Sequence, residues 1–413
     1  MGKISIIILL VLCLTLLALT SSKINTVTPG IDNENFGNQQ SNTPNSNNYQ
    51  NPSTDPIEEP VIEDPDTAYP QKWTIGDGTA SNPWANDCIQ KAYNACPAGG
   101  TIFLKAGYYI LSDAVEITKV INIIGEDRNN TIIKTANKNG ILVRADNCTL
   151  KGFTIDGDAQ TDGTKYLSAL DISHCDYAVV EDIKVKNAGY YGINIYEVNH
   201  SLFQNIHAHN NYRHGMHPGS DTVGRNKYNT YRNIYAWDNG SGGFDDRGSS
   251  GDQDANNVFD NLQCWDNGGY GIAIGDQSGS VLSNSFTSGN GAVGILIYNV
   301  EDINVHDCST ILDKDEGIHI ISSENVNLTN VIAKNSDYAG IRIDDSSDIR
   351  LTSCQSYDDR ETQLQKYGLE LYDTNTGISL LNCILLPNKI GEIYNPAGVA
   401  VEVITEKKKL SKF

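Results

Sequence analysis

From Asp182 to Ser353 the sequence repeats itself about every 23 residues, and in two neighbouring repeats the period stretches to 28. A unit this short cannot bury its apolar face alone, so the copies must stack into a solenoid. Two columns set the register. The first is largely apolar: Ile183, Ile206, Ile234, Leu262, Ser285, Cys308, Val331, Cys354 and Cys383. The second is glycine: Gly192, Gly215, Gly243, Gly271, Gly294, Gly317, Gly340 and Gly368. Nine residues separate the two columns in seven successive units. Just before the apolar column stands a polar one: Asp182, Asn205, Asn233, Asn261, Asn284, Asp307, Asn330, Ser353 and Asn382. Asn and Asp tolerate the left-handed backbone of a tight bend, and stacked amides can bond from rung to rung. After each glycine the residues alternate, as in Ile193-Asn194-Ile195 and Ile341-Arg342-Ile343. Period two means strand, with the middle residue facing out.

Each unit is thus expected to hold three short strands joined by bends. This pattern resembles the right-handed parallel β-helix of the pectin-lyase-like superfamily, over about residues 84–398. The resemblance implies an all-β, single-stranded solenoid with an N-terminal capping helix. Asn86-Asp87-Cys88-Ile89-Gln90-Lys91-Ala92 reads as that helix, and residues 97–107 look like the family's lead-in to the first rung. A cap is physically required, because an open stack exposes unpaired strand and apolar surface. Leucine-rich and WD-type repeats fail on period and signature residues.

Outside the repeat the chain reads differently. Residues 1–22 carry Lys3, an apolar run and then small residues, the pattern of a secretory signal. The run is short for a spanning helix, which favours cleavage over an anchor. Residues 23–72 are rich in Asn, Ser, Pro and Thr and read as a disordered tether. Residues 73–405 form the β-helix domain, and 406–413 a frayed basic tail. A secreted or cell-surface protein is expected, with no membrane span after signal cleavage. The net charge of −21 leaves about −16 on the folded part, with no basic stripe to neutralise phosphates. Nucleic acid is therefore not an expected partner. An acidic sugar, which needs only a local basic cluster, is not excluded. Eight cysteines follow the signal without a CxxC spacing, and several fall on core positions. Buried thiols are favoured, although Cys354 and Cys383 share a column and lie close enough for a disulfide. Asn147-Cys148-Thr149, Asn239-Gly240-Ser241 and Asn327-Leu328-Thr329 are sequons.

The two long repeats point to a site. From glycine to the next apolar marker the count is normally 14, but it is 19 after Gly215 and after Gly243. The insertions give loops at 219–228 and 247–256, on one side of consecutive rungs. Loops so placed often wall a groove. The outward column two past glycine reads Asn194, His217, Asp245, Ala273, Leu296, His319, Arg342 and Glu370, with Asp171 before it. Tyr196 and Arg247 stand four past glycine, and Tyr191 and His214 just before it, beside Arg213. Imidazole, carboxylate and guanidinium should converge under the loops.

That set suits a polysaccharide containing uronic acid. Removing the proton next to a sugar carboxylate needs a base near neutrality and a cation for the developing enolate. His217 is the candidate base, Arg247 the clamp and Asp245 the residue that orients the imidazole or holds a metal. His214 or Tyr191 would protonate the leaving oxygen. Asn194, Tyr191, Tyr196, Arg213 and Asp171 are the expected substrate contacts. Residues 212–219 and 236–244 resemble rungs of mannuronan C5-epimerases. That family's Tyr-Gly-Phe-Asp-Pro-His motif would place Asp at His217 and His at Gly219, so its catalytic pair is absent and no role is carried over. Asp245, Asp246, Asp252 and Asp254 could bind Ca2+, but solvated loop acids are the favoured reading. Trp237 and Trp265 read as an outward aromatic ladder or a sugar platform. Three functions remain open: a lyase or epimerase, a non-catalytic carbohydrate-binding or structural β-helix, and, below both, a glycoside hydrolase.

Overall fold

The computed structural model describes residues 87–135, 138–157, 167–219, 225–247, 255–372 and 374–404. The expected signal, tether and basic tail lie outside these residues, as do Asp252, Asp254 and most of both expected loops. Helix α1 (Cys88–Ala95) begins the described chain and buries Cys88, Ile89, Ala92 and Tyr93 at the end of the core. The strands after it pair in parallel with the equivalent strands of neighbouring turns. One sheet has 12 strands and consists of the segments that follow the column glycines. The other has 21 and holds the two remaining segments of each turn. This is the expected three-strand rung, and the chain is a right-handed parallel β-helix.

The polar column does what its chemistry suggests. Asp182, Asn205, Asn233, Asn261 and Asn284 all adopt left-handed backbone, with φ between 51° and 56°. Asn233 Nδ2 donates to Asn205 Oδ1 at 2.9 Å, and Asn261 Nδ2 to Asn233 Oδ1 at 2.8 Å. In the stretched rungs the two segments flanking this bend fuse into eight-residue strands, such as Thr230–Trp237 and Val258–Trp265.

Two internal stacks were not anticipated. The first is aromatic: Phe203, Tyr231 and Phe259 stack through the core with ring centroids 5.1 and 5.4 Å apart. Burying such large rings contributes roughly 1.5–3 kcal/mol per side chain. The second is a buried amide ladder at the corner before the glycines. Asn211, Asn239, Asn267, Asn290 and Asp313 are linked by side-chain bonds of 2.9, 2.9, 3.0 and 2.8 Å. Asn239 is only 2% exposed, so its sequon cannot receive a glycan in the folded chain. The eight cysteines among the described residues are all free thiols, seven of them buried. Burial pushes the Cys88 thiol up to about 11 and that of Cys175 to about 12. Trp237 and Trp265 stack at 5.0 Å with rings 2° from parallel, and His209 caps Trp237 at 4.3 Å. The ring faces are spent on one another, which is the ladder arrangement.

Candidate functional site

The register of the 12-stranded sheet puts the expected residues side by side. Asp171, Asn194 and His217 are successive partners across Leu170–Ser173, Ile193–Tyr196 and Met216–Gly219. Met216 pairs with Phe244, which sets Asp245 next to His217. Inward neighbours Met216 and Phe244 are fully buried and lock the strand faces. Arg247 ends the strand Phe244–Arg247, beside Gly219 and Gly275.

His217, His214 and Asp245 form one cluster. His214 Nε2 lies 3.2 Å from Asp245 Oδ2, and His217 Nδ1 lies 3.8 Å from the same oxygen. His217 Nδ1 also sits 3.2 Å from the Asp245 carbonyl oxygen. A carbonyl only accepts, so Nδ1 carries the proton and Nε2 is the basic atom of the neutral ring. His214 has the opposite tautomer. Its Nδ1 accepts the Gly242 N–H at 2.9 Å, so the proton of the neutral ring is on Nε2, facing Asp245. The carboxylate thus stands behind two imidazoles of opposite tautomer.

Burial separates their roles. His214 and Asp245 are each 1% exposed, whereas the His217 side chain keeps 16%. His214 was expected to reach a leaving oxygen, but it is sealed and both its nitrogens face protein. The Tyr191 ring lies against both imidazoles, 4.2 Å from His217 and 5.5 Å from His214. Arg213 extends over Tyr190 and Tyr191, at 5.2 and 5.7 Å. Asp171 and Asn194 are joined by a 2.9 Å hydrogen bond. Asp171 also holds Arg144 at 2.6 Å, a cation not anticipated because the repeat is irregular there. Tyr196 packs edge-on against His174, 5.4 Å away.

Among the described residues, His214, His217 and Asp245 are the one group of His, Cys, Asp or Glu with ligand atoms close enough for a metal, all within 4.8 Å. Two imidazoles are not a calcium set, which takes oxygen ligands. A transition metal on His214 Nε2 would require a proton on Nδ1, where the Gly242 N–H already points. The Gly242 N–H at His214 Nδ1 therefore disfavours a metal at this cluster, in which two imidazoles face one carboxylate. Treatment with EDTA is expected to leave any turnover unchanged; loss of activity that zinc restores would overturn this.

Asp246 does not join Asp245. Strand alternation turns it inward, at the position of Ile195 and Ile274, and it is fully buried. Its oxygens accept from Asn226 Nδ2 at 2.8 Å and Gln277 Nε2 at 3.2 Å. Burial dominates and pushes its carboxyl from 3.8 up to about 7, against the pull of those two amides. A pair of acids sharing one calcium loop is thereby ruled out for residues 245 and 246. The sign of the pH effect follows. The folded chain keeps a proton that the unfolded chain loses, so this contribution is complete below 3.8 and is lost as pH rises through 7. Stability is expected to fall by roughly 2 kcal/mol between pH 5 and 8, and Asp246→Asn to flatten part of that slope. Urea unfolding across that range checks it.

The sequence pattern described as "Right handed beta helix region" matches residues 168–331 and 247–408. No curated protein sequence matches the chain. Solved structures do. The A-module of mannuronan C-5 epimerase AlgE6 from Azotobacter vinelandii is 17% identical with a TM-score of 0.66, covering 81% of this chain and 97% of that one. The catalytic unit of a GH87 alpha-1,3-glucanase from Streptomyces thermodiastaticus is 13% identical with a TM-score of 0.67, covering 80% and 67%. The pre-mature gene product 12 of bacteriophage phi29 is 13% identical with a TM-score of 0.60, covering 80% and 50%. At such identities the likeness is one of fold, and it agrees with the pattern match and with the parallel, three-strand rungs. The chain belongs to the right-handed β-helix family.

Proposed function

We propose that this chain is an exported carbohydrate-active enzyme that abstracts the proton beside a uronate carboxylate, with His217 as the base. One observation carries the reading: the Asp245 carbonyl holds the His217 Nδ1 proton, leaving Nε2 as the base, while the Asp245 carboxylate is positioned to stabilise the imidazolium that forms. Arg213 and Arg247 supply positive charge for the developing enolate. Loss of the neighbouring glycosidic oxygen, protonated from Tyr191, would leave a carbon–carbon double bond and make the enzyme a lyase. Return of a proton to the other face would make it an epimerase. The printed names of two structural neighbours, a mannuronan epimerase and a glucanase, are consistent with a polysaccharide substrate. Export rests on the N-terminal pattern, and among the described residues no helix is long and apolar enough to cross a membrane.

The deciding experiment incubates the purified protein with polymannuronate, polyguluronate, polygalacturonate and glucuronate-containing heteropolymers. Absorbance from unsaturated ends would identify a lyase, and exchange of the C5 proton with solvent deuterium an epimerase. Glycan affinity without either signal would instead make the chain a binding protein.

A further inference from the structure

The outward column does not end at Asp245. Its register continues through Ala273, Leu296, His319, Arg342 and Glu370. Ala273 and Leu296 form an apolar saddle. Tyr298 completes it by lying over Gly275, where its ring leaves no room for a Cβ. Beyond the saddle the surface turns polar again. Arg342 Nε donates to Asp344 Oδ2 at 2.8 Å, and its Nη1 to Glu316 Oε1 at 3.1 Å. His319 Nε2 reaches the same Asp344 oxygen at 2.9 Å, and the guanidinium lies 4.6 Å over the Tyr372 ring.

Three carboxyls back this arrangement, and Glu316, Asp344 and Glu370 are all at most 3% exposed. Glu370 takes an outward position between the buried Leu369 and Leu371, yet its Oε2 has no hydrogen-bond partner. Asp344 Oδ1 has none either. Buried polar atoms are nearly always bonded, and leaving one without a partner is costly. Burial also pushes the Glu370 carboxyl up to about 7, making it a proton donor as well as an acceptor near neutrality. Such an expense at an outward column position, beside half-exposed Arg342 and Tyr372, is what a ligand-completed site looks like.

We propose that Glu316, His319, Arg342, Asp344 and Glu370 form a second subsite on the same groove, which takes a neutral sugar unit of the polymer whose uronate unit lies at His217. The charge balance selects the ligand. Three carboxyls face Arg342, His319 and the Lys366 ammonium, whose charge also acts on Glu370, so no surplus positive charge is left for a sugar carboxylate. Hydroxyls of a neutral pyranose donate to the orphan carboxyl oxygens and accept from Arg342 Nη2. Contact with those buried oxygens requires Arg342 and Tyr372, which lie over them, to shift on binding. His217 and His319 are four strand steps apart, about 19 Å at the usual spacing. The substrate is therefore a heteropolysaccharide that carries both uronate and neutral sugars, unlike a homopolymer such as mannuronan. This inference rests on the groove being a carbohydrate site.

The test measures binding of gellan, xanthan and glucuronoxylan against polymannuronate and polygalacturonate by titration calorimetry. Wild type should bind at least one heteropolymer tenfold or more tighter than either homouronan. Glu370→Gln and Asp344→Asn, which keep side-chain volume, should erase that preference, while His217→Ala should retain it. Thermal melts of each variant separate lost binding from lost folding, and either variant alone suffices if the other fails to fold. Homouronan preference, or heteropolymer affinity indifferent to both substitutions, overturns the second subsite and leaves the His217 reaction standing. Failure of every polymer to bind or react overturns the carbohydrate reading and this inference with it.

Discussion

His217→Ala is expected to lower turnover by about 10²–10⁴-fold while leaving stability within about 1 kcal/mol of wild type. The size follows from the proposed role: a positioned base takes part in the proton transfer itself, and no other described imidazole is placed to replace it. His214, the nearest, is sealed and has its Nδ1 bonded to the Gly242 N–H. The stability estimate follows from His217 projecting outward into the groove. Asp245→Asn separates positioning from packing. It preserves volume and the backbone carbonyl that holds His217, but it removes the charge that stabilises the imidazolium. kcat should fall with KM nearly unchanged, since a residue 1% exposed cannot touch substrate. Steady-state kinetics on whichever polymer reacts would expose a wrong assignment: undiminished kcat in both variants removes His217 and Asp245 from the reaction.

Asn239→Ala should cost about 3–5 kcal/mol. Asn239 Oδ1 accepts from the backbone and side-chain nitrogens of Asn211 at 3.1 and 2.9 Å. Its Nδ2 donates to the Ala208 carbonyl at 3.0 Å and to Asn267 Oδ1 at 2.9 Å. Alanine strands all of these where water does not reach, and it leaves a void beside Gly215. Asn233→Ala is the control. Asn233 also bonds to its neighbours but is half-buried at the outer bend, where water can substitute, so about 1 kcal/mol is expected. Equal urea midpoints for the two variants would refute the distinction between the ladders.

The fold was legible because a β-helix writes its register into spacing. Gly-plus-two faces out and Gly-plus-three faces in, and the pairing of Asn194 with His217 and of His319 with Arg342 follows from that count. The same count marks Asp246 as inward. The doublet Asp245-Asp246 drew attention as an acidic pair, and its alternation carried the contrary signal. The inner amide ladder was equally present, five residues past the apolar column from Asn211 to Asn290. Other features depend on packing that spacing does not encode. The sealing of His214 arises from Tyr191 and from the approach of the Gly242 amide across one rung. Asn226 and Gln277, the partners of Asp246, sit in bends of unequal length where no register applies. Arg144 lies upstream, where the repeat is too loose for its neighbour Asp171 to be foreseen.

The apolar saddle of Ala273, Leu296 and Tyr298 has an evolutionary consequence. Each turn of the solenoid touches only the turns on either side. Duplicating or deleting one unit within the saddle would shift everything beyond it by a single strand spacing, about 4.8 Å, and leave both polar clusters chemically intact. The distance between them can change only in such steps. Under the proposed two-subsite reading, a lineage built on this scaffold can therefore retune the repeat length of the polymer it accepts by counting turns, without redesigning either cluster.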